Sequence, residues 1–239
     1  MKTKKIIFYV LMFLPLIITA IALPFLPDQT PAHYDFNNQV TRWGSKYEAL
    51  LFPVCTIFFG LFMLAMTKYS AKQEENGNNN ENVCIIAGIV CLFLFNVMTG
   101  YSLYADFEQV ENLSSIAVDL YQIVFGILGV SMVIIGNFMP KVRMNSVMGL
   151  RTRWSMKNET TWKKSQRFGG ISFIAGGIVL VIFCILTKGF ACLLWAMGTL
   201  IVLAMVDVYY TYRIFYFVAA SQTEIKETVD TEGVDRVHK

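Results

Sequence analysis

Charge is what this chain of 239 residues lacks: only 15% of it is Asp, Glu, Lys or Arg. A soluble domain carries about 25%, so there is too little polar surface to coat a ball of this size. The five cysteines (Cys55, Cys84, Cys91, Cys184, Cys192) form no Cys-x-x-Cys pair, which leaves zinc and redox motifs without support. They read as small apolar side chains. Histidine is confined to His33 and His238, so proton shuttling has little to use. There is no His-Glu-x-x-His, no Gly-x-Ser-x-Gly, no phosphate-binding glycine loop, and no pair of carboxylates in the middle of an apolar run. No enzyme class finds its machinery here, and no cofactor or metal is expected. A net charge of +3 is too small to argue for direct contact with nucleic acid.

What is present is apolar length. Hydrophobic residues make up 55% of the chain and the mean hydropathy is +0.51. A bilayer core about 30 Å thick needs roughly 20 apolar residues in a helix. Uncharged runs of that order extend over Ile6 to Leu26, Ala49 to Thr67, Val83 to Tyr104, Leu120 to Met139 and Phe168 to Thr187. A sixth starts at Phe190 and stays apolar to Ala220, interrupted by Asp207 and Arg213. Barrel strands alternate over about ten residues, and these runs do not alternate. The fold class predicted is therefore an all-α integral membrane protein, a bundle of about six transmembrane helices whose solvent is the lipid bilayer.

Orientation follows from lysine and arginine. Lys2, Lys4 and Lys5, then Lys68 and Lys72, then the eight between Lys141 and Arg167, then Lys226, Arg236 and Lys239 all fall on one side. The other side holds only Arg42, Lys46 and Lys188. Both termini are thereby cytoplasmic, in a multi-pass protein of the cell membrane. A cleaved signal peptide ending at Ala20-Ile21-Ala22 is the alternative for the first span, although its apolar run is longer than a usual signal core.

The polar run 70–82 reads as a cytoplasmic linker that cannot bury enough apolar surface to order itself. It divides a two-span front module, 1–69, from a four-span back module, 83–220, and the polar tail 221–239 is expected to be mobile. Glycines at 126, 129, 136, 169, 170, 176 and 177 predict close packing of the fourth and fifth spans.

Two loops are too dense in special residues to be spacers. The outer loop, 27–46, holds Pro31, His33, Tyr34, Asp35, Arg42, Trp43 and Lys46. Its aromatics suit the headgroup level, Asn38 suits a left-handed turn, and His33 with Asp35 is a weak candidate for titration or metal binding. The inner loop, 136–170, holds Asn137, Pro140, Asn145, Gly149, Arg151, Thr152, Trp154, Trp162 and Arg167. Its two tryptophans are expected to fix it against the membrane, and Asn158 to cap the helix that follows. An outer acidic segment with Asp106, Glu108, Glu111 and Asp119 suits a cationic ligand. Within the membrane the polar candidates are Asn96, read as an interhelical hydrogen bond, and Asp207, expected to pair with an inner-loop arginine rather than with Arg213.

The inner pattern Gly136-Asn137-Phe138-Met139-Pro140-Lys141, Asn145, Gly149-Leu150-Arg151-Thr152, Trp154, Trp162 and Arg167 resembles the signature of the SdpI family. These are bacterial membrane proteins named after an immunity protein against a secreted peptide toxin. The outer residues Leu26-Pro27, Pro31, His33, Tyr34, Val40, Arg42 and Gly44-Ser45-Lys46 resemble the front module often joined to it. Departures are Arg153 for the usual proline, Ser165-Gln166 for Thr-His, and Asp35 and Asn38 for Asn and Gly. The resemblance implies immunity to a membrane-active peptide met at the outer loop. It also implies toxin sensing, in which the loaded protein holds a transcriptional repressor at the inner face. The competing reading is a small permease or exporter of an apolar compound, resting on Asn96 and Asp207.

Overall fold

In the computed structural model, residues 2–75 and 77–237 are described, with side chains described only as far as Ala220. Helix α1 spans Lys2–Ala22, strand β1 Gln29–Tyr34 and strand β2 Val40–Ser45. Helices α2 (Leu51–Ala71), α3 (Asn79–Phe107), α4 (Leu120–Phe138), α5 (Glu159–Leu186) and α6 (Gly189–Val237) follow. Among the described residues, six helices are long and apolar enough to cross a membrane, and an even number of crossings returns both ends to one side. The tail expected to be mobile from Ser221 continues the helical backbone of α6 to Val237.

In lipid there is no hydrophobic drive between helices, so close fit has to hold them. The front cluster is Phe8 and Met12 of α1 against Ile85 and Leu92 of α3. The back cluster joins Met132 of α4 to Leu180 and Cys184 of α5 and Cys192 and Ala196 of α6. Between α4 and α5 the backbones themselves touch. A Cβ added at Gly129 would lie 2.7 Å from the Gly177 carbonyl oxygen, and one at Gly136 would lie 2.7 Å from that of Gly170. These two pairs are seven residues apart on each helix, one antiparallel seam. Gly126 is not part of it: a Cβ there would meet nothing within 4 Å.

The connections are ordered by polar bonds more than by burial. Asp119 caps α4 in a capping box with Gln122, and its other oxygen accepts the Gly189 N–H at the start of α6. The linker between α2 and α3, expected to lack order, is tied down at several points. Gln73 binds the Ser146 N–H at 2.8 Å, Glu74 accepts the Asn80 N–H at 2.8 Å, and fully buried Asn80 accepts the Arg143 N–H at 2.9 Å. Amides reach partners across the gap where apolar side chains are missing, which composition alone does not register.

Candidate functional site

The outer loop is not an irregular segment lying among headgroups but a β-hairpin. Thr30 pairs with Gly44, Pro31 with Trp43, His33 with Arg42 and Tyr34 with Val40, with register shifts on both sides of His33. The turn forms because Asp35 accepts the N–H groups of Asn37 and Gln39 at 2.8 and 2.9 Å while Asn38 takes φ +65°. The hairpin tip is pinned to the α3–α4 connection: the Val40 N–H donates to Glu111 O and the Leu113 N–H to Asn38 O, both at 2.9 Å. Tyr34 Oη donates to Val110 O at 2.8 Å. The structure thus brings together the outer loop and the acidic segment, 71 to 76 residues apart at these contacts.

Between hairpin and helices lies a pocket of about 270 Å³. Its walls include Pro31, Tyr34, Phe52, Tyr101 and Asp106. Asp106 is buried and takes a hydrogen bond from Thr30, and the buried Tyr101 hydroxyl has no hydrogen-bond partner among the described residues. Burial first, then the neighbouring Asp106 and Tyr101, push the Tyr34 phenol up to about 12. So the pocket offers acceptors and a free hydroxyl within apolar walls. Phe36, Trp43 and Tyr47 beside it are all exposed.

Several expected contact residues are already engaged. Arg42 forks onto Glu48 at 3.1 and 2.8 Å, and Lys46 bonds Asp28 at 2.8 Å, which holds the Asp28 carboxyl below its usual range. His33 Nδ1 sits 2.6 Å from Thr41 Oγ1, apart from the turn bonds of Asp35. Among the described residues, no group of three or more His, Cys, Asp or Glu is placed to hold a metal ion. Of the acidic segment only Glu108 and Glu111 remain exposed, since Asp106 and Asp119 are buried.

The inner loop is scaffolded from within. Asn145 is buried, accepting the Val147 and Met148 N–H groups at 2.7 Å and donating to Arg143 O at 2.7 Å. Thr152 and Ser155 exchange hydrogen bonds at 2.8 and 3.0 Å, and Thr152 Oγ1 reaches Thr211 of α6 at 3.0 Å. Trp162 is fully buried and donates from Nε1 to Val142 O at 2.8 Å. It therefore fixes the loop to the protein, correcting the expectation that it lies against the membrane. Trp154 is half-buried, edge-on to Tyr212. Asn137, Pro140, Arg151 and Arg167 are exposed.

Gln166, seen in the sequence only as a departure from a family pattern, closes this scaffold. It is fully buried, accepts the Leu150 N–H at 2.9 Å and donates back to Leu150 O at 3.0 Å. Gly149 beside it takes φ +102°, and a Cβ there would meet Gln166 Oε1 at 2.5 Å. Within the membrane, Asn96 donates to Leu11 O at 2.8 Å, joining α3 to α1. Asp207 accepts from Ser172 of α5 at 2.6 Å instead of pairing with an inner-loop arginine. The small serine on the facing helix leaves both groups buried, beyond the reach of the loop.

Six spans, an outer hairpin cap and a stapled inner loop define a multi-pass membrane protein with structured faces on both sides of the bilayer. Residues 141–211 match the SdpI/YfhL protein family, and residues 10–57 match a domain of unknown function, DUF1648. Over these segments the chain is similar to the SdpI/YfhL family in its back module and to DUF1648 in its front. It is 23% identical over 206 residues to Immunity protein SdpI of Bacillus subtilis (strain 168), covering 85% of this chain and 91% of that protein. No solved structure matches. The protein is a multi-pass bacterial membrane protein.

Proposed function

We propose that this chain is a membrane immunity protein that protects the cell carrying it from a secreted, membrane-active peptide. The similarity to a protein named for immunity, running through most of both chains, supports the class. The observation that carries the reading is the outer cap, where a hairpin with exposed aromatics roofs a pocket holding buried Asp106 and the unpartnered Tyr101 hydroxyl. A membrane-active peptide brings an apolar face for Phe36, Trp43 and Tyr47. Its lysine, arginine or terminal amine suits Asp106, since a buried carboxylate is stabilised most by an opposite charge. Arg42 and Lys46, tied to Glu48 and Asp28, hold the hairpin and do not lead the contact.

Toxin sensing with sequestration of a repressor is the further part of the proposal. The inner loop presents Arg151, Arg153 and Lys157 outward from a rigid base, which suits an acidic cytoplasmic partner.

The test is expression in a toxin-sensitive cell. The wild-type chain raises survival, Asp106→Asn and Trp43→Ala lower it at equal membrane abundance, and Arg151→Gln leaves survival intact while abolishing co-fractionation of the repressor with membranes. Killing that is unchanged by the wild-type chain refutes immunity. Survival equal in wild type and Asp106→Asn refutes the pocket.

A further inference from the structure

Helices α5 and α6 carry the same spacing at their inner ends. Lys164, Arg167, Phe168 and Ile171 fall at positions 0, 3, 4 and 7 of one stripe, and Tyr210, Arg213, Ile214 and Phe217 repeat it on the other. Such residues share a helix face. The two stripes line one groove of about 510 Å³. Phe168 and Tyr210 stack across it with ring centroids 3.5 Å apart, and Lys164 Nζ lies 5.2 Å from the Phe217 ring centre.

The groove is cationic on one half and apolar on the other. Among the described residues, three cations line it and no acidic side chain does. Among the described residues, none of the three takes part in an ion pair. Arg213 lies 24 residues beyond the outer start of α6 at Gly189, about 36 Å along at 1.5 Å per residue. That is past a hydrocarbon core of about 30 Å, so the charges stand at the inner headgroup level. Ile171 is 15 residues short of the outer end of α5 at Leu186, about 22 Å along, and so lies inside the core.

From this juxtaposition we infer that the α5–α6 groove is a binding site for an anionic phospholipid of the inner leaflet. Arg167 and Arg213, with planar forks suited to phosphate, hold the headgroup phosphodiester, and Lys164 adds charge. An acyl chain lies along Phe168 and Ile171. A zwitterionic lipid brings a second, positive group that the three cations repel, so net negative charge decides the preference. Free inorganic phosphate leaves the apolar half unfilled.

The experiment is native mass spectrometry of the full chain released from bilayers of equal phosphatidylglycerol and phosphatidylcholine. Retained phosphatidylglycerol is expected to exceed phosphatidylcholine by at least about fivefold. Arg167→Gln with Arg213→Gln is expected to bring the ratio near one. Lys68→Gln with Lys157→Gln, an equal loss of charge on the same side, keeps it. Ile171→Trp, which fills the apolar half and leaves all three cations, lowers retention of the long-chain lipid and serves if the arginine pair does not fold. A wild-type ratio near one overturns the inference. So does equal loss in the Lys68/Lys157 variant, full retention in Ile171→Trp, or displacement of the lipid by millimolar inorganic phosphate.

Discussion

Alanine at Gly136 and at Gly126 should shift stability in opposite directions, although both glycines lie on α4. An ordinary carbon contact begins near 3.4 Å, and a Cβ at Gly136 falls 2.7 Å from the Gly170 carbonyl. Neither partner can yield by rotating, because both are backbone, so the helices must part by about 0.7 Å. A gap of 0.5–1 Å already forfeits roughly a quarter to a half of each dispersion contact along the seam. Overpacking of this kind costs about 1–3 kcal/mol. Against it stands the helix propensity gained on replacing glycine, up to about 1 kcal/mol. At Gly126 only the gain remains, since nothing lies within 4 Å.

The two variants should therefore differ by about 2 kcal/mol, roughly a thirtyfold change in the folded-to-unfolded ratio. Gly129→Ala should resemble Gly136→Ala, and the double variant should cost less than the two together, because a seam already opened admits the second methyl. Unfolding in mixed dodecylmaltoside and dodecyl sulfate micelles, followed by tryptophan fluorescence, gives the order. If Gly136→Ala unfolds at the same detergent fraction as Gly126→Ala, the α4 and α5 backbones are not in contact and the reasoning fails.

Three further outcomes are open to measurement. Gln166→Leu leaves the Leu150 N–H without its partner, while the Leu150 carbonyl keeps Ser155 Oγ at 2.9 Å, and should cost about 1–3 kcal/mol, read as a lowered melting temperature in detergent; Gly149→Ala should match it, whereas a neutral result at both sites would remove Gln166 from the scaffold. Trp162→Phe loses the bond to Val142 O, and trypsin should then cut the inner loop faster in inverted vesicles, with unchanged cleavage counting against a structural role. Tyr34 titrates near 12 where the free phenol titrates at about 10; its raised value means the seat contributes fully below pH 10 and is lost as pH rises through 12, so the tyrosinate absorbance of Tyr34→Phe should lack a late step, and an identical titration curve would contradict the buried seat.

The spans and the glycine seam were legible in the sequence because lipid imposes them. Apolar length has one solution in a bilayer, and small residues at a seven-residue spacing on two neighbouring spans have few other uses. Asn38 was legible too, as one of the few residues comfortable at positive φ. The hairpin was not, since Gln29–Tyr34 and Val40–Ser45 lack the apolar alternation of a strand. Their pairing is held by turn chemistry and by bonds to residues 110–114. Trp162 was misplaced for a related reason: a tryptophan near a span end signals the interface only when its indole N–H faces headgroups, and here Val142 takes that bond. Asp207 was paired with the wrong partner because charge complementarity favoured an arginine, whereas geometry offered Ser172.

Polar ties between distant segments decide how the two loops relate. On the inner side, Asn80 and Gln73 at the junction of α2 and α3 hold Arg143 and Ser146 of the inner loop. On the outer side, the hairpin between α1 and α2 is pinned to the connection between α3 and α4. Helix α3 thus has one structured face fastened near each end, and Asn96 fastens its middle to α1. A displacement of the outer cap acts directly on the end of α3 that carries Tyr101 and Asp106, and the inner loop is bonded to the opposite end through Asn80. Since a buried amide pays about 1–3 kcal/mol to lose a partner, these ties resist separation of either face from α3. A ligand that only rests on the exposed aromatics leaves that arrangement as it is, whereas one that enters the pocket competes with Thr30 for Asp106 and bears on the helix itself.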